Sequence, residues 1–280
     1  MSDLEPFSQP EFQPVDELYV FGDSLSDIGN LFQVNGRTYP ADPPYFQGRY
    51  ANGRVWVEYL ARQLGVFPKY ITNYARGGAT ASRSNTLAPN LLTQVQAFLQ
   101  SHAQVNPTAL YVLWIGANDY FQGERNPVTT VEAITWAIAE LGNLGAQRIL
   151  VANLPDLGQL PATRHSPNAL SLSTLTQRHN LQLQLALEWL ERELAPTQIA
   201  FLDAYQLYQA VMASPGQFGF VNIDHAYLSG LFNHQSPDQF LFWDGIHITT
   251  AAHRILAEAA GRSLTELSFS SGRERMVSSC

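Results

Sequence analysis

Short apolar runs recur along the chain at 18–21, 70–74, 109–115, 148–154 and 198–202. Each is short enough for a strand buried on both faces. Between and after them lie longer segments with helical spacing of apolar positions, at 55–64, 91–101, 130–144, 172–194 and 250–264. Within 172–194, Leu181, Leu185 and Trp189 stand four apart and predict the packed face of a helix. Strands alternating with helices predict a mainly parallel sheet covered by helices, an α/β fold with five strands in a three-layer α/β/α sandwich. The connections 35–52, 155–168 and 213–239 are long and hold many of the Gly, Pro and aromatic residues. Long loops at strand ends shape ligand pockets. The last of them runs straight into 244–247 and is the expected substrate wall.

No repeat, low-complexity tract or linker divides the sequence, so one domain is expected over 17–268. Residues 1–16 carry Pro6, Pro10 and Pro14 without periodicity and predict a disordered arm. Residues 269–280, with Arg273-Glu274-Arg275 among serines, predict a flexible tail. Apolar content of 45% with 14% charged residues is that of a soluble globular protein. There is no uncharged apolar run of membrane-spanning length, and the acidic start lacks the basic and apolar regions of an export signal. As written, the chain is expected in the cytoplasm; removal of a leader would leave the same sequence for an exported protein. A formal net charge of −8 opposes binding to nucleic acid or an anionic membrane. The sole cysteine, Cys280, excludes an internal disulfide framework and a thiolate metal cluster. Nothing in the pattern demands an oligomer, and a monomer is expected.

The candidate chemistry lies in four clusters. Gly22-Asp23-Ser24-Leu25 follows the first apolar run and sets a serine hydroxyl at the end of a buried strand. Asn73-Tyr74-Ala75-Arg76-Gly77-Gly78-Ala79-Thr80, Ile115-Gly116-Ala117-Asn118-Asp119 and Phe242-Trp243-Asp244-Gly245-Ile246-His247 complete the set. With all four present the chain resembles the GDSL, or SGNH, family of serine esterases and lipases, over positions 20 to 250. The extended match 20–30 and the segment from Gly48-Arg49-Tyr50 to Leu60 resemble its lipase-type branch. The resemblance implies the SGNH-hydrolase, flavodoxin-like version of the fold, no cofactor, and a small-molecule ester as substrate. It spans lipases, arylesterases, thioesterases, acyltransferases and sugar deacetylases without choosing among them.

Chemistry assigns the residues. An alcohol attacks only as its proton leaves, so Ser24 needs a base within hydrogen-bond reach. His247 is the candidate base, and Asp244, three positions earlier, is placed to hold the far nitrogen of the ring. The short Asp-to-His spacing is a feature of the family. Attack on an ester carbonyl puts negative charge on oxygen, for which the donors are the Ser24 and Gly78 backbone N–H groups and the Asn118 side-chain amide. Asp23 and Arg76 are expected at the substrate. Asp23, Asp27 and Asn30 also read as residues that order the turn, and Arg76 equally reads as a solvated surface arginine.

Rival classes lack their residues. The G-x-S-x-G of an α/β-hydrolase is absent, as are phosphate-loop and dinucleotide fingerprints. His225, His234, Asp224 and Asp238 match no zinc spacing, and no metal is expected. A non-catalytic binding module would show loss of a catalytic member, and none is lost. Transfer of the acyl group to an alcohol uses the same serine and stays open beside hydrolysis. Two positions depart from the usual family pattern: Ile248 stands where relatives commonly have proline, and Arg76 at a site usually apolar or small.

Overall fold

The computed structural model describes residues 14–82, 88–102, 104–230 and 235–277. The expectation for residues 1–13, and those for His234 and 278–280, lie outside the described residues.

Strands β1 (Leu18–Gly22), β2 (Ile71–Asn73), β3 (Leu110–Trp114), β4 (Arg148–Ala152) and β5 (Gln198–Leu202) form one parallel sheet in the order β2-β1-β3-β4-β5. Successive strand residues face opposite ways, and both faces are covered. Leu18, Val20, Leu110, Val112 and Trp114 enter one core, while Tyr19, Phe21, Tyr111 and Leu113 enter the other. This explains strands that read as near-continuous apolar runs. The helices are α1 (Asn30–Val34), α2 (Trp56–Gln63), α3 (Leu91–Ser101), α4 (Ala117–Phe121), α5 (Pro127–Asn143), α6 (Ala169–Glu193), α7 (Ala204–Ala213) and α8 (Thr250–Val277). Residues of α3, α5 and α6 line the side of the sheet that holds Tyr19, Phe21 and Tyr111, and residues of α2 and α8 the side that holds Leu18, Val20 and Trp114. The result is the three-layer α/β/α sandwich. In this strand order the chain reverses direction across the sheet between β1 and β3, and ligands of such sheets bind beyond the carboxyl ends of the strands at that reversal.

Several expectations are corrected. Leu181, Leu185 and Trp189 face outward, 59%, 56% and 48% exposed, while Leu175, His179, Leu183, Leu187 and Leu190 are buried. Leucines at every second position from 181 to 187 populate both sides of the helix, and the longer 3–4 repeat won. The region read as the loop 213–239 contains β6 (Asn222–Ala226), which pairs with β7 (Phe240–Phe242). Folding begins before Glu17, because Val15 is buried in the core beneath α2. Helix α8 extends well past Leu264, into the range read as a tail.

Candidate functional site

The site is built where β1 and β3 end. Gly22, the last residue of β1, is clamped by the buried Gln94 amide, which accepts from its N–H at 2.8 Å and donates to its carbonyl at 2.9 Å. A Cβ at Gly22 would meet the Trp114 carbonyl oxygen at 2.5 Å, so the approach of β3 requires glycine. The chain then turns tightly, with Ser26 and Asp27 N–H both donating to the Asp23 carbonyl. Ser24 sits at the head of this turn, 8% exposed. The Asp27 carboxylate accepts from the N–H groups of Gly29, Asn30, Leu31 and Gly77, which ties the serine turn to the loop after β2. Burial raises its pKa, and those four donors partly offset the cost of its charge. The Asn30 side chain donates to the carbonyls of Asn73 and Ala75, a second tie between the same loops.

In the loop after β2, Gly77 packs against the Tyr50 hydroxyl with no space for a side chain. Gly78 adopts φ of +79°, a left-handed conformation open to glycine, and faces open space. Beyond β3, Gly116 also adopts a positive φ, +124°, and a Cβ there would crowd the buried His179 ring and Thr130. His179 bonds the Tyr120 hydroxyl at 2.8 Å, and burial lowers its pKa to about 3, so this ring is neutral. Asn118 donates one amide N–H to the Ala79 carbonyl at 2.9 Å. Next to it, Asp119 accepts from Ala81 N–H, Ser82 N–H and the Ser82 hydroxyl, fixing the third loop to the second. Among the described residues, three donors here have no acceptor: the Ser24 and Gly78 backbone N–H groups and the second Asn118 N–H.

The last segment is a hairpin-like turn. Trp243 N–H donates to the His247 carbonyl, Thr249 N–H to the Leu241 carbonyl, and Phe242 bridges Ile248. Ile248 thus holds the turn through strand-like pairing. Asp244 Oδ1 accepts from the backbone N–H groups of Ile246 at 2.8 Å and His247 at 2.7 Å. Its Oδ2 lies 2.7 Å from His247 Nδ1, and His247 Nε2 lies 2.8 Å from Ser24 Oγ. Burial alone would raise the Asp244 carboxyl, yet the hydrogen bonds and charge of His247, joined by Tyr45, hold it well below the usual carboxylate range. An ionised Asp244 can only accept, so Nδ1 carries the proton and Nε2 offers its lone pair to the serine hydroxyl. This arrangement is able to draw a proton from Ser24.

Ser24, Asp244 and His247 are therefore joined in one hydrogen-bonded line, with Gly78 and Asn118 on the loops fastened beside it. Asp23 is buried on the wall of an apolar cavity. Arg76 uses its backbone N–H on the Gly22 carbonyl, and its Nε is buried without a partner among the described residues. Two residues of the loop 35–52 complete the site. Tyr45 donates its hydroxyl to Asp244 Oδ2 at 2.7 Å, and the Tyr50 ring packs 4.8 Å from the His247 ring. Tyr50 opens the segment that resembles the lipase-type branch, whereas Tyr45 has no sequence signal beyond the aromatic content of that loop. No group of three or more His, Cys, Asp or Glu side chains among the described residues is arranged to hold a metal.

Known proteins share this architecture. The profile of a family described as GDSL-like Lipase/Acylhydrolase matches residues 18–260. A phosphatidylcholine-sterol acyltransferase from Aeromonas hydrophila is 31% identical over 313 aligned positions, covering 90% of each chain. A thermolabile hemolysin from Vibrio parahaemolyticus is 26% identical over 87% of this chain, which spans only 62% of that longer protein. Among solved structures, an acetylxylan esterase from Geobacillus stearothermophilus superposes with a TM-score of 0.54 at 16% identity, covering 90% of this chain and 95% of that one. At so low an identity the likeness is one of fold.

Proposed function

The chain belongs to the GDSL-like lipase/acylhydrolase family and is a carboxylic ester hydrolase; from that premise we propose that it works through an acyl-Ser24 intermediate. His247 Nε2 takes the Ser24 proton as Oγ bonds to the ester carbonyl carbon. Asp244 holds the ring in the required tautomer and stabilises the imidazolium that forms. The carbonyl oxygen becomes an oxyanion and receives the Ser24 N–H, the Gly78 N–H and the free Asn118 N–H. As the tetrahedral intermediate collapses, the C–O bond to the alcohol breaks and His247 returns the proton to that oxygen. Water, deprotonated by the same ring, then adds to the acyl carbon; the bond to Ser24 Oγ breaks, His247 returns the proton to Oγ, and the acid is released. The observation that carries this reading is the continuous line from Ser24 Oγ through both ring nitrogens to Asp244 Oδ2.

A serine-directed phosphonate is expected to label the protein once, at Ser24, and stop ester turnover, with peptide mapping as the readout. A label on another serine, or activity lost to a chelator and restored by a divalent ion, overturns the assignment. The donor roles have their own test. Asn118→Ala is expected to lower kcat by about 10²- to 10³-fold with little change in KM, because the bond strengthens only as charge develops. A raised KM at constant kcat would make Asn118 a ground-state binding residue.

A second reading, transfer of the acyl group to an alcohol, is favoured by the name of the 31% identical relative, an acyltransferase. The two differ only in what attacks acyl-Ser24. Turnover of p-nitrophenyl esters with and without an added alcohol separates them: hydrolysis yields the acid in both, whereas transfer yields a new ester when the alcohol is present.

A further inference from the structure

An apolar cavity of about 80 Å³ begins beside the reaction centre. Its mouth is formed by the immediate neighbours of three site residues: Asp23 and Leu25 flank Ser24, Ala117 precedes Asn118, and Ile246 precedes His247. Leu207 and Val211 of α7, Ile255 of α8 and Phe220 also line the cavity. Ligand pockets ordinarily enclose roughly 300–1,000 Å³. A space lined by so many apolar side chains suits an alkyl chain and offers the hydroxyls of a sugar almost no hydrogen-bond partner. Transfer of one methylene from water into such surroundings favours binding by roughly a factor of four.

One wall residue breaks the pattern. Asp23 is 4% exposed, and its carboxyl accepts a single hydrogen bond, from Leu25 N–H to Oδ1 at 3.0 Å. Its other oxygen has no partner among the described residues. The titratable groups that act on it are His247 from the turn before α8, Asp119 from α4 and Asp27 from its own loop. Farther along the cavity, α7 adds the Tyr208 phenol, which donates to the Gln159 carbonyl. The remaining lining is apolar.

We propose that this channel receives the straight alkyl chain of the acyl group, and that Asp23 is a specificity-determining residue whose neutral carboxyl admits the chain and whose carboxylate opposes it. The proposal rests on the ester hydrolase reading above and names its substrate class. Burial pushes the Asp23 carboxyl up to about 7, against the pull of Leu25 N–H and His247. Below that pH the mouth is uncharged and the chain enters without cost. Above it the carboxylate holds water at the mouth, and each chain must displace that water from a charge that accepts one hydrogen bond from the described residues. Preference for a longer acyl chain therefore falls as pH rises through neutrality. An acetyl group ends before the channel and does not sense the change.

The test measures kcat/KM for p-nitrophenyl octanoate and acetate from roughly pH 5.5 to 8.5. The octanoate-to-acetate ratio cancels the common titration of the Ser24–His247 machinery. It is expected to be high in acid and to fall about tenfold through neutral pH. In Asp23→Asn, which keeps the acceptor for Leu25 N–H, the ratio is expected to stay high at every pH. Leu207→Phe, which narrows the channel away from the carboxyl, is expected to lower the ratio at every pH. A flat wild-type ratio, or a ratio in Asp23→Asn that still falls near neutrality, overturns the role of Asp23; if Asp23→Asn fails to fold, the wild-type ratio decides alone. If octyl acetate, and not the octanoate, shows the pH-dependent advantage, the channel holds the alcohol side and the acyl assignment is overturned. Failure to turn over any of these esters would strike the ester reading itself, a result distinct from all of these.

Discussion

Ser24→Ala and His247→Ala are each expected to lower kcat for ester hydrolysis by about 10⁶-fold, and the double variant to be scarcely slower than either. The geometry makes the two side chains one unit, since among the described residues the base in contact with Ser24 Oγ is His247 Nε2, at 2.8 Å. Without the hydroxyl there is no acyl-enzyme, and the ring has nothing to deprotonate. Without the ring the hydroxyl must shed its proton unaided, which a free alcohol does poorly near neutral pH. What survives either loss is the contribution of the Ser24, Gly78 and Asn118 donors, which still polarise the carbonyl for attack by water. The measurement is single-turnover and steady-state kcat on one p-nitrophenyl ester for the four proteins of the cycle. Losses that multiply would show that serine and histidine act independently, and the proposed line of proton transfer would be wrong.

The parts of this site that were legible in the sequence are those whose chemistry is local. Asp244 and His247 are three residues apart, and the turn that joins them is closed by Asp244 Oδ1 on the two backbone N–H groups that follow. Such a motif is written in one stretch of chain. The same holds for Ser24, perched at the end of an apolar run that pairs on both sides. Tyr45 was invisible for the opposite reason: its bond to Asp244 spans 199 residues, and nothing in the loop around it signals which tyrosine reaches the carboxylate. Gln94 is similar, a polar residue in the middle of α3 whose purpose is to clamp Gly22 across 72 positions. In α6 the misreading had another cause. The stripe Leu181, Leu185, Trp189 and the stripe Leu183, Leu187, Leu190 both obey helical spacing, so periodicity alone does not choose between them. The choice lies in what the sheet offers, because Leu183, Leu187 and Leu190 share one core with Ile149, Val151 and Ile199 of the strands.

Asp244→Asn is expected to cost on the order of 10⁴-fold in kcat, and the hydrogen bonds around the carboxylate say why the loss is so large for a change of one atom. The Oδ1 position receives two backbone N–H groups, from Ile246 and His247. An amide placed there must set its carbonyl oxygen at that position, since its NH₂ has nothing to offer two donors. The NH₂ is then forced into the Oδ2 position, 2.7 Å from His247 Nδ1. It donates to Nδ1, which must become the acceptor, so the ring proton moves to Nε2 and points at Ser24. The base is thereby turned into a second donor while the geometry stays almost as it was. Tyr45 does not rescue it, because its hydroxyl can rotate to accept from the new NH₂ and so keeps the amide in that orientation. Two measurements check this: kcat on the same ester, and the imidazole tautomer by ¹⁵N NMR of the resting variant, expected to report the proton on Nε2. A loss of only a few-fold, with the proton still on Nδ1, would mean that some other group orients His247 and that the working unit is a Ser24–His247 dyad.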